Sequence, residues 1–296
     1  MVDRIQMSTV NIREVRENSD MSSLPFSLLM SVYAGDNSVY FDCALRSILN
    51  NSIRPNEIVL VIDGPVSEQI LSVIDAYQSL LPIRVLKLKE NIGLGPALAQ
   101  GLLACSYSWV ARFDSDDVCS PNRFLRQLEF IDSNPSVDAF SCPILEFNDA
   151  LDGGRNVVRR VPVGLDNILR FAKWRSPLNH MAVMFKKESA IKAGNYRDEP
   201  SFEDYSLWLR MLKIGLILDN MDEILVFARA GRAIEKRRGG VRYIKNEIAM
   251  HKKLLEWGFM KLPECTCILL SKLFVRILPG KLRLHFYNVF MREKVK

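Results

Sequence analysis

The chain has 296 residues, of which 48% are hydrophobic, so it can bury a full core, and this composition excludes a disordered protein. Its six cysteines are scattered and form no Cys-x-x-Cys pair, which excludes a zinc site of that type and favours reduced, mostly buried thiols. The net charge of +6 divides into +12 for residues 229–296 and −6 for residues 1–228.

An acidic body with a basic tail limits the possible partners. Acidic pockets suit metal ions and hydroxyl-rich substrates, whereas a basic tail suits phosphates, anionic lipid or nucleic acid. Residues 1–24 are polar, carry both charge signs and predict an N-terminal extension without the apolar core of a signal peptide. No run of about 18 apolar residues occurs, so we expect a cytoplasmic protein that does not span a membrane.

Five apolar, β-rich runs between residues 25 and 143 each predict a buried strand. They are Phe26–Tyr33, Glu57–Asp63, Ile83–Leu88, Trp109–Phe113 and Val137–Cys142. The segments between them have apolar residues at helical spacing. This alternation predicts an α/β fold with an open, mainly parallel sheet and helices on both faces, and such sheets bind ligands at the carboxyl ends of their strands.

The pattern becomes less regular after residue 143, and we assign residues 144–238 to a second half of the fold. Helices are predicted at Asp166–Lys173 and Glu203–Ile214, and strands at His180–Phe185 and Ile224–Phe227. Residues 25–143 then form the first half. Residues 239–296 form a basic tail with helical segments.

Two carboxylates converge after the fourth predicted strand. Trp109–Phe113 leads into Asp114-Ser115-Asp116-Asp117, and in extended backbone Asp114 and Asp116 point to the same side. Mg²⁺ or Mn²⁺ held by one or two carboxylates normally completes its coordination shell with substrate phosphates. The pattern predicts a metal site at Asp114 and Asp116, although an isolated Asp-x-Asp is also typical of a solvated turn before a helix.

Other polar residues follow neighbouring strands. Asp63 could accept hydrogen bonds from a nucleotide base or ribose, or serve only as a turn residue before glycine. Ser31 and Tyr33 end the first strand, where they could hold a base by hydrogen bonding and stacking, or be ordinary edge residues. Gly93 stands before a helix, where free backbone N–H groups can face a phosphate, although a strand-to-helix turn needs no ligand to contain glycine.

A second acidic pair, Glu203-Asp204, stands at the start of a predicted helix. Acidic residues are common there because they interact favourably with the helix dipole. Transfer of a group to a hydroxyl acceptor, however, needs a carboxylate that takes the proton from that hydroxyl. The pair is therefore either structural or the source of a catalytic base.

Five segments in this order resemble glycosyltransferase family 2, which has the GT-A fold. They are Leu29–Tyr33, Asp63-Gly64, Asn91–Leu94, Asp114–Asp117 and Glu203–Trp208. The resemblance covers residues 26–240 and implies an inverting transferase, with a nucleotide-sugar-binding half at residues 25–143 and an acceptor-binding, catalytic half at residues 144–238. It implies that the first segment and Asp63 hold the nucleotide, that Asp114 and Asp116 bind the ribose and the metal-bridged diphosphate, with Ser115 between them, and that Asp204 is the catalytic base.

The sequence departs from the family pattern in places, with Ser31 where proline is usual and Ala34 where asparagine is usual. The Gln-x-x-Arg-Trp signature of processive synthases is absent, so we expect the transfer of one sugar per encounter. The resemblance favours UDP-glucose or UDP-galactose as donor and a β-linkage to GlcNAc-diphosphoundecaprenol. Other donors, such as dTDP-rhamnose or UDP-GlcNAc, remain alternatives.

Further residues are candidates for substrate contacts. Trp174, Asn179 and His180, together with Glu203, could line the acceptor pocket, because aromatic rings stack on sugar faces. A histidine buried in the core is the alternative for His180. Arg229 and Arg232 could contact the donor diphosphate or be solvated loop charges.

The tail has an amphipathic pattern, with Lys272 and Arg276 one turn apart on a face separate from its apolar residues. The apolar residues are Leu269, Leu270, Leu273, Phe274, Ile277 and Leu278. Together with the basic charge, this pattern favours an anionic membrane surface at the inner face of the cell membrane and a polyprenyl-diphosphate-linked saccharide acceptor. Packing of the helix on the core is the alternative. Nucleic acid is not expected, because aromatic and basic residues do not interleave.

Three other functions have weaker support. A nucleotidyltransferase would need a glycine-rich, lysine-containing loop after the first strand, which Ser31 to Gly35 does not provide. A phosphatase with an aspartyl nucleophile would leave Asp63 and Glu203-Asp204 without roles. A non-catalytic scaffold that binds a nucleotide sugar would keep the donor site and lose turnover.

Overall fold

The computed structural model describes residues 24–147, 156–229 and 241–277 and the short strand at 293–294. Nearly all of the N-terminal extension predicted for residues 1–24 lies outside the described residues. The same is true of Arg232 and of Leu278 in the tail pattern. The described segments form twelve strands and nine α-helices.

The strands belong to two sheets. They are β1 (Phe26–Tyr33), β2 (Glu57–Asp63), β3 (Ile83–Lys87), β4 (Trp109–Arg112), β5 (Val118–Cys119), β6 (Ala139–Ser141), β7 (Ile144–Phe147), β8 (Val157–Arg159), β9 (Met184–Lys186), β10 (Leu218–Asn220), β11 (Val226–Arg229) and β12 (Glu293–Lys294). The main sheet has seven strands in the order β10-β6-β9-β4-β1-β2-β3, and the second has five in the order β12-β8-β7-β11-β5.

The helices occupy the connections between strands. They are α1 (Ser38–Leu49), α2 (Glu68–Gln78), α3 (Leu94–Ala104), α4 (Arg123–Ser133), α5 (Leu165–Phe171), α6 (Lys187–Lys192), α7 (Glu203–Lys213), α8 (Val241–Glu256) and α9 (Leu262–Ile277). Side chains cap the N-termini of α1 and α2, where Asn37 accepts from two backbone N–H groups and Ser67 from one.

The main sheet is mainly parallel, as predicted. Strand β1 pairs in parallel with both β2 and β4, β2 pairs in parallel with β3, and β10 in parallel with β6. Only β9 runs antiparallel to its neighbours β4 and β6 in this sheet. The carboxyl ends of β1, β2 and β4 therefore meet at one edge, where the candidate donor residues follow.

The prediction of a strand at His180–Phe185 is wrong for the first half of this segment. The segment predicted as a strand at His180–Phe185 begins with a 3₁₀ helix at His180–Ala182 and becomes β9 only at Met184. The backbone N–H of Ala182 donates to the carbonyl of Asn179 at 3.0 Å, which closes a turn. A short buried apolar run does not distinguish such a turn from a strand by periodicity alone.

Helices cover both faces of the main sheet because alternate residues of β1 point to opposite sides. Leu28 packs in one cluster with Phe41 of α1. Leu29 packs in the other with Leu102 of α3 and Trp208 of α7. All five side chains are fully buried, and burial of an apolar side chain of this size contributes about 1.5–3 kcal/mol.

The two C-terminal helices pack on each other and on the body of the protein. Cys265 and Ile268 of α9 are buried. Lys272 forms an ion pair with the buried Glu247 of α8 at 3.0 Å, and Glu264 pairs with Lys173 at 3.0 Å. Packing on the core thus holds one face of α9. Among the residues that the structure describes, no helix combines the length and the hydropathy needed to cross a bilayer.

Helix α3 lies close to the sheet because Gly101 faces β1 and β2 without a side chain. A Cβ at this position would lie 2.5 Å from Leu29 Cδ1 and 2.6 Å from Val61 Cγ2, and both side chains are fully buried. Carbon atoms in favourable contact are about 3.5–4.0 Å apart. The close packing of α3 on the sheet therefore requires glycine at this position for steric reasons.

We expect Gly101→Ala to destabilise the fold although alanine is the better helix former. The helix propensity improves by about 1 kcal/mol, whereas overpacking in a core costs about 1–3 kcal/mol, so a net loss of about 1 kcal/mol is expected. Urea unfolding followed by circular dichroism measures the change. Gln100→Ala, at the exposed neighbouring position, is the control, and a Gly101→Ala protein more stable than wild type would contradict this packing.

Candidate active site

Three carboxylates cluster where β4 ends. The ligand oxygens of Asp114, Asp116 and Asp117 all lie within 4.8 Å of one another. The segment is fixed to the sheet because the N–H of Phe113 donates to the carbonyl of Leu29 at 3.2 Å. The structure therefore brings together the two aspartates of the predicted metal site and adds a third.

A fourth carboxylate comes from the turn after β1. Asp36 Oδ2 accepts hydrogen bonds from the backbone N–H of Tyr33 at 3.1 Å and from Ser115 Oγ at 3.0 Å. The charge of Asp36 also helps to raise the pKa of Asp116. The first strand thus contributes an acidic group that ties Tyr33 and Ser115 to the same cluster.

The charge state of the cluster favours a cation. Burial, followed by the charges of Asp114 and Asp36, raises the pKa of Asp116 to about 6. Burial, followed by the charges of Asp114 and Asp116, raises the pKa of Asp117 well above its ordinary value. Asp117 Oδ1 accepts the N–H of Arg229 at 2.8 Å, whereas the buried Oδ2 has no hydrogen-bond partner among the described residues.

These observations fit a divalent metal ion. Crowded carboxylates with raised pKa values and an unpaired buried oxygen are relieved when a positive charge binds between them. Hard cations such as Mg²⁺ and Mn²⁺ prefer oxygen ligands of this kind. Asp114 and Asp116 are the residues that would hold the ion, with Asp117 close to them.

One buried arginine lies beside the cluster. Arg112, the last residue of β4, is 1% exposed and forms an ion pair with Asp114. Its Nε has no hydrogen-bond partner among the described residues. Its positive charge acts to lower the pKa values of Asp116, Asp117, Glu203 and Asp204. Burial has a larger effect in the opposite direction, so all four pKa values are raised.

The second acidic pair lies within electrostatic range of Arg112. Glu203 and Asp204 begin α7, and Ser176 Oγ donates to Asp204 Oδ2 at 3.2 Å. Burial raises the pKa of Asp204, and burial followed by the charge of Asp204 raises the pKa of Glu203 to about 7. The charge of Asp114 also raises the pKa of Glu203, so the two acidic groups lie within electrostatic range of each other.

The end of β2 holds Asp63 in a defined position. Its two carboxylate oxygens accept the backbone N–H groups of Ile92 at 2.8 Å and Gly93 at 3.1 Å. Across the sheet, Tyr33 is the register partner of Asp63, and the Tyr33 ring is 43% exposed. Gly93 has a φ of 90°. Because its N–H donates to Asp63, this group is not free to bind a phosphate, and the contact of Gly93 with the donor stays a prediction. The contact of the half-buried Ser31 with the donor also stays a prediction.

Arg229 lies against the acidic cluster. Its Nε donates to the backbone carbonyl of Asp116 at 3.1 Å, and its guanidinium lies 3.9 Å from the centre of the Tyr40 ring and 4.7 Å from that of Phe147. The alternative of a freely solvated loop charge is therefore wrong for Arg229. Arg232 lies outside the described residues.

The predicted acceptor residues lie in different environments. Asn179 is fully buried, and its Nδ2 donates to the carbonyl of Cys142 at 2.8 Å, which gives it a structural role and corrects the prediction of a surface contact. His180 Nε2 bonds the hydroxyl of Tyr196 at 3.0 Å, and burial lowers its pKa well below the ordinary value. The side chain of His180 is half-buried, so its contact with the acceptor stays a prediction. Trp174 is 52% exposed and can contact a ligand.

A family model described as "Glycosyl transferase family 2" matches residues 27–189, more than half of the chain. The chain belongs to glycosyl transferase family 2. The matched segment contains the acidic cluster, Asp63 and Arg112, whereas Glu203 and Asp204 follow it. The resemblance in the sequence is thus confirmed, and the fold is that of the GT-A glycosyltransferases.

Two curated relatives match nearly end to end. The amylovoran biosynthesis glycosyltransferase AmsE of Erwinia amylovora is 35% identical over 266 residues, which are 89% of this chain and 98% of that protein. The UDP-Gal:alpha-D-GlcNAc-diphosphoundecaprenol beta-1,3-galactosyltransferase of Escherichia coli is 36% identical over 268 residues, which are 90% of this chain and 97% of that protein.

A solved structure with the same fold is the mannosyltransferase PcManGT of Pyrobaculum calidifontis in complex with GDP-Man and Mn²⁺. The two chains are 15% identical, and the match has a TM-score of 0.56 and covers 89% of this chain and 79% of the other. At this identity the likeness shows the fold alone.

Sequence reasoning missed Asp36, Arg112, Ser176 and Tyr196. A charged residue at the end of an otherwise apolar strand was a usable signal for Arg112, because a buried charge needs a partner. The other three carry no such signal, since their contacts come from segments distant in the chain. Ser176, for example, lies 28 residues before the carboxylate to which it donates.

We expect Glu203→Gln to stabilise the protein without bound metal at neutral and alkaline pH. The folded-state pKa of Glu203 is raised to about 7, so its ionised form destabilises the fold above that pH, and protonation relieves this cost as the pH falls. A rise in melting temperature of about 2–4 °C at pH 8 should shrink as the pH approaches 5. Thermal unfolding at several pH values measures it, with the exposed Glu188→Gln as control.

Proposed function

We propose that this chain is a metal-dependent, inverting hexosyltransferase that transfers one sugar from a nucleotide diphosphate donor to a lipid-linked saccharide. The observation that carries the proposal is the placement of two acidic groups around Arg112, one suited to a cation and one to a proton. Asp114 and Asp116 form the first group, and Asp204 belongs to the second.

The donor would lie along the carboxyl ends of β1, β2 and β4. Tyr33 and Asp63 face each other across the strands and are suited to the nucleoside, and Ser115 lies between the two aspartates nearest the diphosphate. A divalent ion held by Asp114 and Asp116 supplies Lewis-acid neutralisation of the departing diphosphate. Arg229, at the edge of the cluster, adds a positive charge on the same side.

Asp204 would take the proton from the acceptor hydroxyl. The hydroxyl oxygen then bonds to the anomeric carbon while the bond from that carbon to the diphosphate oxygen breaks, and a single displacement inverts the configuration. Hydrogen bonds from Ser176 Oγ and from the backbone N–H of Tyr205 orient the carboxylate of Asp204. A raised pKa makes this carboxylate a better proton acceptor than an exposed aspartate.

The choice of substrates rests on the relatives. The Escherichia coli relative uses UDP-Gal and a GlcNAc-diphosphoundecaprenol acceptor, and it covers nearly the whole chain. We therefore favour UDP-galactose, with UDP-glucose second, and a β-linkage to GlcNAc-diphosphoundecaprenol in the assembly of an O-antigen or other polysaccharide. Mn²⁺ is favoured as the ion because the structurally similar mannosyltransferase binds it with its donor.

The location follows from the acceptor. A polyprenyl-linked saccharide is held in a membrane, so the protein would act as a peripheral protein on the cytoplasmic face of the inner membrane. The +12 charge of residues 229–296 supports attraction to anionic lipid. Leu262 and Leu270 of α9 are exposed and could contact the bilayer surface.

Incubation of the purified protein and Mn²⁺ with a panel of nucleotide sugars and a GlcNAc-diphospholipid acceptor tests the proposal directly. Transfer of hexose from UDP-galactose or UDP-glucose with a β-configured product is the expected outcome. Transfer from dTDP-rhamnose or UDP-GlcNAc alone would select the alternative donors. Donor binding without transfer to any acceptor would favour the non-catalytic scaffold.

Asp204→Asn should abolish transfer while it leaves donor affinity nearly unchanged. Loss of a general base lowers kcat by about 10²–10⁴-fold. The transfer rate of the wild-type protein should fall as the pH decreases, because the protonated form of Asp204 is inactive. The fall should begin at a higher pH than for an ordinary aspartate, because the pKa of Asp204 is raised. Radiolabelled transfer assays and calorimetric donor titrations measure the two effects. The exposed Asp198→Asn is the control.

Asp116→Asn should weaken metal binding and metal-dependent donor binding together. Removal of one carboxylate from the cluster also relieves repulsion, so the protein without metal should not become less stable. We expect an increase of about tenfold or more in the Mn²⁺ concentration for half-maximal transfer, which corresponds to about 1.4 kcal/mol. Titration with Mn²⁺ after chelation measures it, with the exposed Asp75→Asn as control. Full activity in the presence of excess chelator would contradict the metal site.

A further inference from the structure

A surface groove lies beside the candidate base and is not explained by the donor site. It has a volume of about 390 Å³. Its lining residues are Pro162, Asn167, Arg170, Phe171 and Trp174. Four of them recur at the spacing of one helix face, so α5 and the turn that follows it form most of the wall.

The lining combines an apolar surface with a positive charge. Phe171 and the exposed Trp174 provide aromatic faces, and Pro162 adds a third apolar side chain. Arg170 is exposed, and its Nη2 donates to Asn167 Oδ1 at 2.8 Å. The guanidinium of Arg175 lies 4.6 Å from the centre of the Phe171 ring. None of the five lining residues is acidic. This combination suits an amphiphile with an apolar chain next to an anionic group.

The groove is close to the reaction centre along the chain. Trp174 precedes Ser176 by two residues, and Ser176 bonds the carboxylate of Asp204. Two residues of extended chain span at most about 7 Å. The groove is therefore within reach of a saccharide whose hydroxyl contacts Asp204.

The segment that forms the groove also contacts the start of α9. Leu165 and Leu169 are exposed on the opposite face of α5. The ion pair between Lys173 and Glu264 joins this segment to the start of α9, where Leu262 is 67% exposed. The groove segment and the start of α9 are therefore neighbours in the fold.

We propose that this groove binds the diphosphate and the first prenyl units of a polyprenyl diphosphate, with Arg170 on the phosphates and Trp174 and Phe171 against the chain. The assignment rests on the proposed function, because it places the lipid end of the acceptor. Trp174 is then a contact for the lipid and not a platform for the acceptor sugar. The donor diphosphate and the acceptor diphosphate occupy separate sites.

Binding of farnesyl diphosphate, used below its micellar concentration with saturating UDP and Mn²⁺ to fill the donor site, tests the groove without any transfer. We expect Trp174→Ala and Arg170→Ala each to raise its Kd about tenfold, or about 1.4 kcal/mol, while the affinity for UDP stays unchanged as a check of folding. Inorganic diphosphate and farnesol should each bind much more weakly to the wild-type protein. Leu80→Ala and Lys213→Ala, at exposed positions away from the groove, should match wild type.

Transfer assays separate the two proposals. With acceptors that differ only in alkyl chain length, Trp174→Ala should raise KM for the long-chain acceptor and leave KM for the short-chain acceptor nearly unchanged, whereas Arg170→Ala should raise KM for both, because both carry the diphosphate. An equal rise for both acceptors in Trp174→Ala would make Trp174 a sugar platform and overturn the lipid assignment. Unchanged farnesyl diphosphate binding, or loss only of binding to phosphatidylglycerol vesicles, would also overturn it. Failure of the wild type to transfer to any lipid diphosphate would reject the proposed function, whatever the groove binds.

Discussion

The buried guanidinium of Arg112 links the two halves of the site. A charge at 1% exposure is costly unless opposite charges surround it. Asp114 provides a direct ion pair, and the carboxylates of Asp117, Glu203 and Asp204 add further negative potential. The arginine therefore holds acidic segments from β4 and α7 around one point, although they are about ninety residues apart in the chain.

The same arrangement leaves the site with an excess of negative charge. One arginine does not balance the carboxylates around it, and burial and mutual repulsion raise the pKa values of Asp116, Asp117 and Glu203. Such repulsion lowers the stability of the folded protein, a cost that functional sites commonly carry. A bound cation would offset it on the β4 side, whereas Glu203 and Asp204 would keep the raised pKa values that suit proton transfer.

The fold separates the tasks of the site. Residues that suit the donor follow the parallel strands β1, β2 and β4, within the segment that matches the family model. The groove lies along α5 and the candidate base begins α7, and both helices belong to the less regular half of the fold.

The sequence by itself determined the elements and the residues that end them. Alternating apolar runs predicted the parallel sheet, and the positions of Asp63, Asp114 and Asp116 after buried strands placed them at one edge, because carboxyl ends of parallel strands meet. Only the tertiary structure decided the rest. It buried Asn179, joined His180 to Tyr196, turned the N–H of Gly93 toward Asp63, and brought Asp36, Ser176 and Arg112 to the carboxylates. Those contacts join segments that no local periodicity relates, since they depend on how the chain packs across the sheet.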